Sequence, residues 1–538
     1  MGHSARVAHS ARGVSGLHKV SARLGAKDHL VPFRSPGGAY PAKRSTGARA
    51  PKVRAGATVR GASTVAAALP AVLHKFNGVS DLDSDNLNGF PLTPPDQGLC
   101  VGRDQSLPGA PKAVWEPVNS AARETRVNGT PLFPDITLAT LFQDPFAQGD
   151  PRCLYDQATQ TFFFTEVGFP PGGPNSSLTN TTLDVTVLNK NGAAFYQFDT
   201  SFDRNFVSGS CLGDQPKVGF NNNALVVSTD QFCGSTLSDF QGALVMAISK
   251  PELVAEAATV NDALFGPIAL RNVPITGADP AIATGTGTGY LVNSFPFDEF
   301  GNNNAVADTL GLWKLRNTGF VTTGSGTPPT LFGRIIPSIG YAFPVPAAST
   351  GDGSVTNGIT SEAFLNPDDS RLSGPVAVTR TSSGGIRLWT ALDTAITIGN
   401  DPSARDGAAW FRINPAKNRL VGAGYSAAPG AYLLYPAIQP RQHGPASMVF
   451  TITSRAKNPS AAFTTVNSPT IKTVGAGAGP HVSFAEVQFN QARWGDYSFA
   501  VPDPSGNGVW LATEYIPPPA SQDPQDNWGT FVFEVSGH

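Results

Sequence analysis

Charge is scarce in this chain. Asp, Glu, Lys and Arg make up only 14% of its 538 residues, where soluble domains usually carry about a quarter. Amphipathic surface helices need a charged face, and past residue 90 no stretch of ten or more residues keeps a convincing 3.6-residue period. Pro251 to Leu264 comes nearest, and it predicts one short helix. Histidine is nearly absent from the main body, with His443, His481 and the terminal His538 after residue 75. That supplies neither a histidine-rich metal centre nor a well-stocked Ser-His-Asp site. The patterns C-x-x-C, H-E-x-x-H, G-x-S-x-G and G-x-x-x-x-G-K-[ST] do not occur, so zinc ribbons, zincins, α/β-hydrolases and P-loop enzymes lose their signatures. No run of 18 apolar residues is present to span a membrane as a helix.

What is abundant is turn chemistry, with 57 Gly and 46 Pro, the profile of many strands joined by tight turns. A pattern recurs: an Asp or small turn residue, often a Pro, a short strand, a Gly/Asn/Asp turn, then an apolar strand. It begins at Asp96, Asp150, Asp214, Asp279, Pro375, Tyr435 and Asp496, mostly about 55 to 65 residues apart. Self-similarity at such a period marks a repeat array, and units that open with a β-hairpin point to an all-β fold, a β-propeller of seven blades over residues 76–538. The interval from Asp279 to Pro375 is the longest, and Asn302–Asn304 and Thr318–Thr360 are expected to form long loops there. Pairing of Thr530-Phe-Val-Phe-Glu-Val with the first blade is expected to close the ring.

Residues 1–75 differ in kind. They hold 13 Lys/Arg and one acid, Asp28, whereas the rest carries 25 Lys/Arg against 39 Asp/Glu, a balance of −14. The segment has too little apolar content to fold and reads as a disordered basic leader, a signal or a pro-segment. It lacks the interleaved aromatics that stack on bases, so no nucleic-acid partner is expected. The acidic stretch Asp81-Leu-Asp-Ser-Asp-Asn reads as a solvated linker. It lacks the Gly and Glu of an EF-hand loop.

Four cysteines bear on the compartment. Cys211 and Cys233 lie eleven residues either side of Asn222 in an Asn221-Asn-Asn turn, so a hairpin centred there sets them opposite one another for a cross-strand disulfide. Cys100 and Cys153 hold near-equivalent places in units one and two and by elimination pair between blades; four buried free thiols are the alternative. Two disulfides imply an oxidising compartment and hence a secreted or surface location.

Several units place acids at both the start of the first strand and the end of the second: Asp150 with Glu166, Asp214 with Asp230, Asp496 with Glu514, and less regularly Asp96 with Glu116. In a propeller these ends gather at one mouth of the central channel. Three readings stay open. The acids cap turns; or Asp150, Asp214 and Asp496 hold a hard cation such as Ca²⁺; or two carboxylates act as acid and base or nucleophile on a glycosidic bond, with Asp150, Asp214, Asp496, Glu166 and Glu514 as catalytic candidates. Trp494 and Tyr497 flank Asp496 and are the candidate ligand contacts, with Asp230.

The segments Pro94-Pro-Asp-Gln-Gly-Leu-Cys-Val-Gly, Asp150-Pro-Arg-Cys-Leu-Tyr-Asp, Cys211-Leu-Gly-Asp-Gln-Pro-Lys-Val-Gly, Arg493-Trp-Gly-Asp-Tyr-Ser, Trp510-Leu-Ala-Thr-Glu-Tyr and Asn527-Trp-Gly-Thr resemble a family of exported bacterial β-propeller-like proteins over roughly residues 76–536. That resemblance implies secretion and a propeller and carries no catalytic residues. The Asp-box of sialidases, S-x-D-x-G-x-T-W, is absent. The leading expectation is an exported, monomeric binding or scaffold module for an extracellular glycan or cell-surface protein. A glycoside hydrolase or lyase and a purely structural surface protein are the alternatives.

Overall fold

A computed structural model describes residues 68–537, apart from 169–180, 200–210, 234–238, 296–305, 484–491 and a few shorter gaps, together with the backbone of 3–4, 6–8 and 52–53. Most of the expected basic leader therefore lies outside the described residues.

Seven sheets, each built on four antiparallel strands, surround one axis; short further strands add to blades 3, 4 and 5, and two small sheets lie outside the blades. Blade 1 is Cys100–Arg103, Lys112–Val118, Ala121–Arg126 and Ile136–Thr137. Blade 2 is Ala147–Asp156, Thr161–Gly168, Thr182–Asn189 and Gly192–Asp199. Blades 3 to 6 have their innermost strands at Cys211–Phe220, Asp279–Pro280, Ala377–Arg380 and Tyr432–Gln439. Blade 7 takes Phe499–Pro502, Gly508–Tyr515 and Gly529–Ser536 from the C-terminus and its fourth strand, Val72–Ser80, from the N-terminus. Each repeat predicted from sequence is one blade. Innermost strands of neighbouring blades run side by side, as in the parallel bridges of Phe220 to Ile282 and Ala281 to Val376.

Strand alternation gives every sheet two faces, and a blade in a closed ring buries both. The core is accordingly divided among the interfaces. Phe163, Val185 and Phe198 of blade 2 pack on Phe220, Leu225 and Met246 of blade 3. Cys100 and Trp115 of blade 1 pack on Cys153 and Phe164 of blade 2. Across the closure, Val101 and Val114 of blade 1 meet Tyr497, Phe499 and Trp510 of blade 7.

Closure differs from the sequence expectation. Gly529–Ser536 pairs not with the first blade but with Val72–Ser80, which precedes it. The propeller thus takes in Val72–Lys75, assigned above to the leader. The chain then turns into blade 1 through a helix, α1 (Asp81–Asn88), where a solvated linker was expected. Ser80 caps it, with Asp83 reaching back to complete a capping box, and Gly89 ends it in the left-handed region. The Thr318–Thr360 stretch is also more ordered than a loop, since Thr330–Tyr341 is the fourth strand of blade 4 counted from the axis.

Both disulfides are formed as expected. Cys211–Cys233 bridges directly opposed residues of one hairpin with Cα atoms 4.1 Å apart, and Cys100–Cys153 joins blades 1 and 2 with Cα atoms 5.3 Å apart. Replacing Cys211 and Cys233 by Ser is expected to lower stability by about 2–4 kcal/mol with closure intact. Deleting through Ser80 uncovers the edge of Gly529–Ser536 and is expected to abolish the cooperative transition and cause aggregation. Urea unfolding with size-exclusion chromatography checks both.

Candidate functional site at the propeller axis

The site begins with a backbone device. In three blades the innermost strand carries a residue with positive φ followed by Pro, bulged against the second strand: Asp150-Pro151 (φ 52°), Gln215-Pro216 (φ 49°) and Tyr435-Pro436 (φ 51°). Pro removes a ladder donor and confines the preceding residue, so the bulge is written into the sequence. A β-bulge re-aims the side chains that flank it. Here Arg152 and Lys217, each immediately after the bulge Pro, face one cavity at the axis, which Asp279, Gly374, Tyr497 and Phe499 also line. A second cavity, sharing Lys217 and Tyr497, is lined by Asp368, Arg371, Asp393, Tyr435 and Asp496.

Around these cavities the acids form a hydrogen-bonded relay. Arg371 donates to Asp368 and to Gln215 Oε1, and its Nε lies 3.0 Å from Asp369 Oδ1. Gln215 Nε2 donates to Asp496 Oδ2 at 3.2 Å, and Arg493 pairs with the same carboxylate at 3.4 Å. The Asp496 amide donates to Asp96 Oδ1 at 2.8 Å. Asn119 donates to Asp96 Oδ2 at 2.7 Å and accepts the Asp150 amide at 2.8 Å. Asp230 accepts from Thr276 Oγ1 at 2.6 Å and from the Gly277 amide at 3.0 Å.

Burial dominates the electrostatics, since it penalises the charged form of a carboxyl. It lifts Asp96 to about 6 with help from Asp150, Asp496 to about 7 against the pull of Arg493, and Asp279 to about 8 against Lys217 and Arg152. Asp214 is pushed well above the usual range by burial and by Asp150 and Asp230, and Asp150 is raised by burial. Glu514 is raised strongly by burial and by Asp526. It is housed by Gly495, where an added Cβ would stand 2.8 Å from its Oε2.

Of the candidates from sequence, the axis gathers Asp150, Asp214, Asp496 and Asp230, while Tyr497 lines both cavities. Glu166 sits opposite the Asp150-Pro151 bulge, near the Gly149 amide, and lines neither cavity. Trp494, expected to contact ligand, is buried in the core with its indole N–H on Thr451 Oγ1 at 3.2 Å and its ring edge-on to His481. No group of three His, Cys, Asp or Glu among the described residues has a metal-holding arrangement. A cation cage was one reading of Asp150, Asp214 and Asp496; in the structure Arg152 and Lys217 act on Asp150, Arg371 on Asp214, and Arg493 pairs with Asp496. Sequence reasoning passed over those cations, although Asp150-Pro-Arg and Asp214-Gln-Pro-Lys place one directly after each bulge.

No protein-family model and no curated protein sequence matches this chain. Among solved structures it is similar to a polysaccharide lyase (10% identity, 89% of this chain on 100% of that one, TM-score 0.36) and to an α-L-arabinofuranosidase of Fusarium graminearum (12%, 73% on 94%, TM-score 0.32). It is also similar to a sialidase of Trypanosoma rangeli (10%, 71% on 53%, TM-score 0.30), of which the match spans about half the length.

These carboxyls carry a sign for stability. Their folded pKa values lie above the ordinary value near 4. Between about 4 and the folded value the native state holds protons that the unfolded chain has lost, so stability falls as pH rises through that window. The melting temperature is expected to fall from pH 5 to pH 8.5, and Asp279→Asn is expected to raise it at pH 8.5 and to reduce the slope by about one proton. An unaltered slope would show that Asp279 does not titrate there.

Proposed function

We propose that this chain is an exported β-propeller that binds an extracellular glycan, free or on a cell surface, at the axial mouth. The supporting observation is the graded exposure of the polar relay. The side chains of Asp368, Arg493 and Asp496 are 33%, 22% and 11% exposed, while the groups beneath them, Gln215 and Tyr497 among them, are buried. Such a mouth offers hydroxyl groups both donors and acceptors, already oriented by their own hydrogen bonds, so little ordering entropy opposes binding. Export is supported by the two disulfides and by the family resemblance.

A second reading, a glycoside hydrolase or lyase, has one specific support. Asp496 and Asp96 are linked through the Asp496 amide, and burial holds both carboxyls near neutrality, the range in which an acid catalyst works. Isothermal titration of the full chain against a panel of polysaccharides, with reducing ends and unsaturated products assayed in the same samples, separates the two. Binding without product, weakened about tenfold or more by Arg493→Ala and by Asp368→Ala at unchanged melting temperature, is the expected result. Product formation that vanishes in Asp496→Asn would make it an enzyme, and binding indifferent to both alanine variants would move the site off the axis.

A further inference from the structure

Two buried cations at the axis have no close ion-pair partner among the described residues. Arg152 and Lys217 are each only 4% exposed, yet among the described residues neither has a carboxylate within ion-pair distance. The comparably buried Lys250 and Arg371 are both paired, with Asp156 at 2.7 Å and with Asp369 at 2.9 Å. An unpaired buried charge is costly, and here two occur side by side on a cavity wall.

We propose that this cavity is a subsite for an oxyanion substituent of the ligand, a uronate carboxylate or a sulfate ester, with Arg152 and Lys217 as its direct contacts. The proposal rests on the glycan reading above and names the class of sugar it takes. The Arg152 guanidinium is pre-set for the task. Its Cζ lies over the Tyr497 ring, 3.5 Å from the centroid, and Nη1 is held on the Pro151 carbonyl at 3.2 Å, while Nη2 has no hydrogen-bond partner. A fixed guanidinium edge suits the two oxygens of a carboxylate or sulfate. Lys217 makes one long hydrogen bond, 3.4 Å to a Gln215 oxygen that Arg371 already engages, and its ammonium lies 5.9 Å from the Tyr497 ring centroid. The Tyr497 hydroxyl on the same wall also lacks a partner and can donate. The groups of opposite sign that face the site are Asp279, on the wall, and Asp150, farther off. Burial raises the pKa of both carboxyls, that of Asp279 to about 8, and neither lies within ion-pair distance of the two cations. The remaining wall, Leu154, Val218, Pro280 and Phe499, is apolar and suits the carbon skeleton that carries the anion.

The test uses the full chain at physiological salt, titrated with a galacturonate tetrasaccharide, a sulfated carrageenan tetrasaccharide and neutral cellotetraose. An acidic tetrasaccharide is expected to bind at least about tenfold more tightly than the neutral one. Arg152→Gln and Lys217→Met should each weaken that binding about 10- to 100-fold, with cellotetraose changed less than twofold. Whether the uronate or the sulfate responds identifies the anion. Lys43→Gln with Arg44→Gln, in the basic leader, should change nothing; a loss there equal to that of Arg152→Gln overturns the proposal, as does equal binding of the neutral tetrasaccharide. If Arg152→Gln does not fold, Lys217→Met carries the comparison. If no tetrasaccharide binds, the glycan reading fails, and the subsite is then read with sodium acetate and sodium sulfate alone. A rise in melting temperature in the wild type that Lys217→Met lacks upholds the subsite, and no difference between the two proteins rejects it.

Discussion

The axis is held together by one buried guanidinium and the relay it anchors. Closing seven blades into a ring brings their strand starts to a common line, and this sequence places acids at most of them. Uncompensated, those carboxyls would repel and pay full desolvation. Arg371, in the connection that leads into blade 5, binds Asp368 and Asp369 and reaches Gln215 of blade 3. Gln215 passes the connection to Asp496 of blade 7, and Asp96 and Asn119 carry it through blade 1 to Asp150 of blade 2. Five blades far apart in sequence are thereby locked in register at the point where they converge. The inter-blade hydrophobic clusters supply the bulk of the burial, but they are local to each interface and do not by themselves fix the line on which all the blades meet.

The bulges make that convergence possible, at a local cost. A non-glycine residue in the left-handed region is uncommon, and for a side chain as large as Tyr435 it is an outlier costing of order 1–3 kcal/mol. The surroundings repay it: the Tyr435 amide donates to Asp393 Oδ2 at 2.8 Å and its hydroxyl to the Asn366 carbonyl at 2.9 Å. Such strain is retained where geometry matters more than economy. In blades 2 and 3 the same device turns the residue after Pro inward, so that a position which strict alternation would assign by parity alone becomes a wall of the axial cavity.

This explains what could and could not be read from the sequence. The seven repeats were legible because the turn and strand pattern is local. The Cys211–Cys233 hairpin was legible from the Asn221-Asn-Asn turn, but the turn does not set the bridge alone: it pairs Phe220 with Leu225, and the bulge between Asp214 and Lys217 shifts the ladder by the one residue that brings Cys211 opposite Cys233. The clustering of Asp150, Asp214 and Asp496 followed from the topology. The cations did not, because the Pro marks the bulge but the direction in which it turns Arg152 and Lys217 depends on the partner strand. Arg371 lies outside the repeat pattern, in the long connection before blade 5. Trp494 was misread because proximity in sequence to Asp496 says nothing about which side of the strand start faces the axis; it points into the core with His481 and Thr451. The use of Val72–Ser80 to complete the last blade depends on a pairing about 450 residues apart in sequence, beyond any local signal.

The two ends of the axial site present different chemistry to a ligand. At the mouth the cations are already paired, Arg493 with Asp496 and Arg371 with Asp368, so a sugar that hydrogen-bonds there meets groups held in place, and its charge makes little difference to them. Deeper, Arg152 and Lys217 are unpaired. A ligand carrying an anion exchanges no existing ion pair when it reaches them and offsets the cost of two buried charges that lack a close partner. The polar mouth can therefore orient a saccharide while the buried pair selects for its charge, and discrimination against neutral glycans follows from what they leave unpaired.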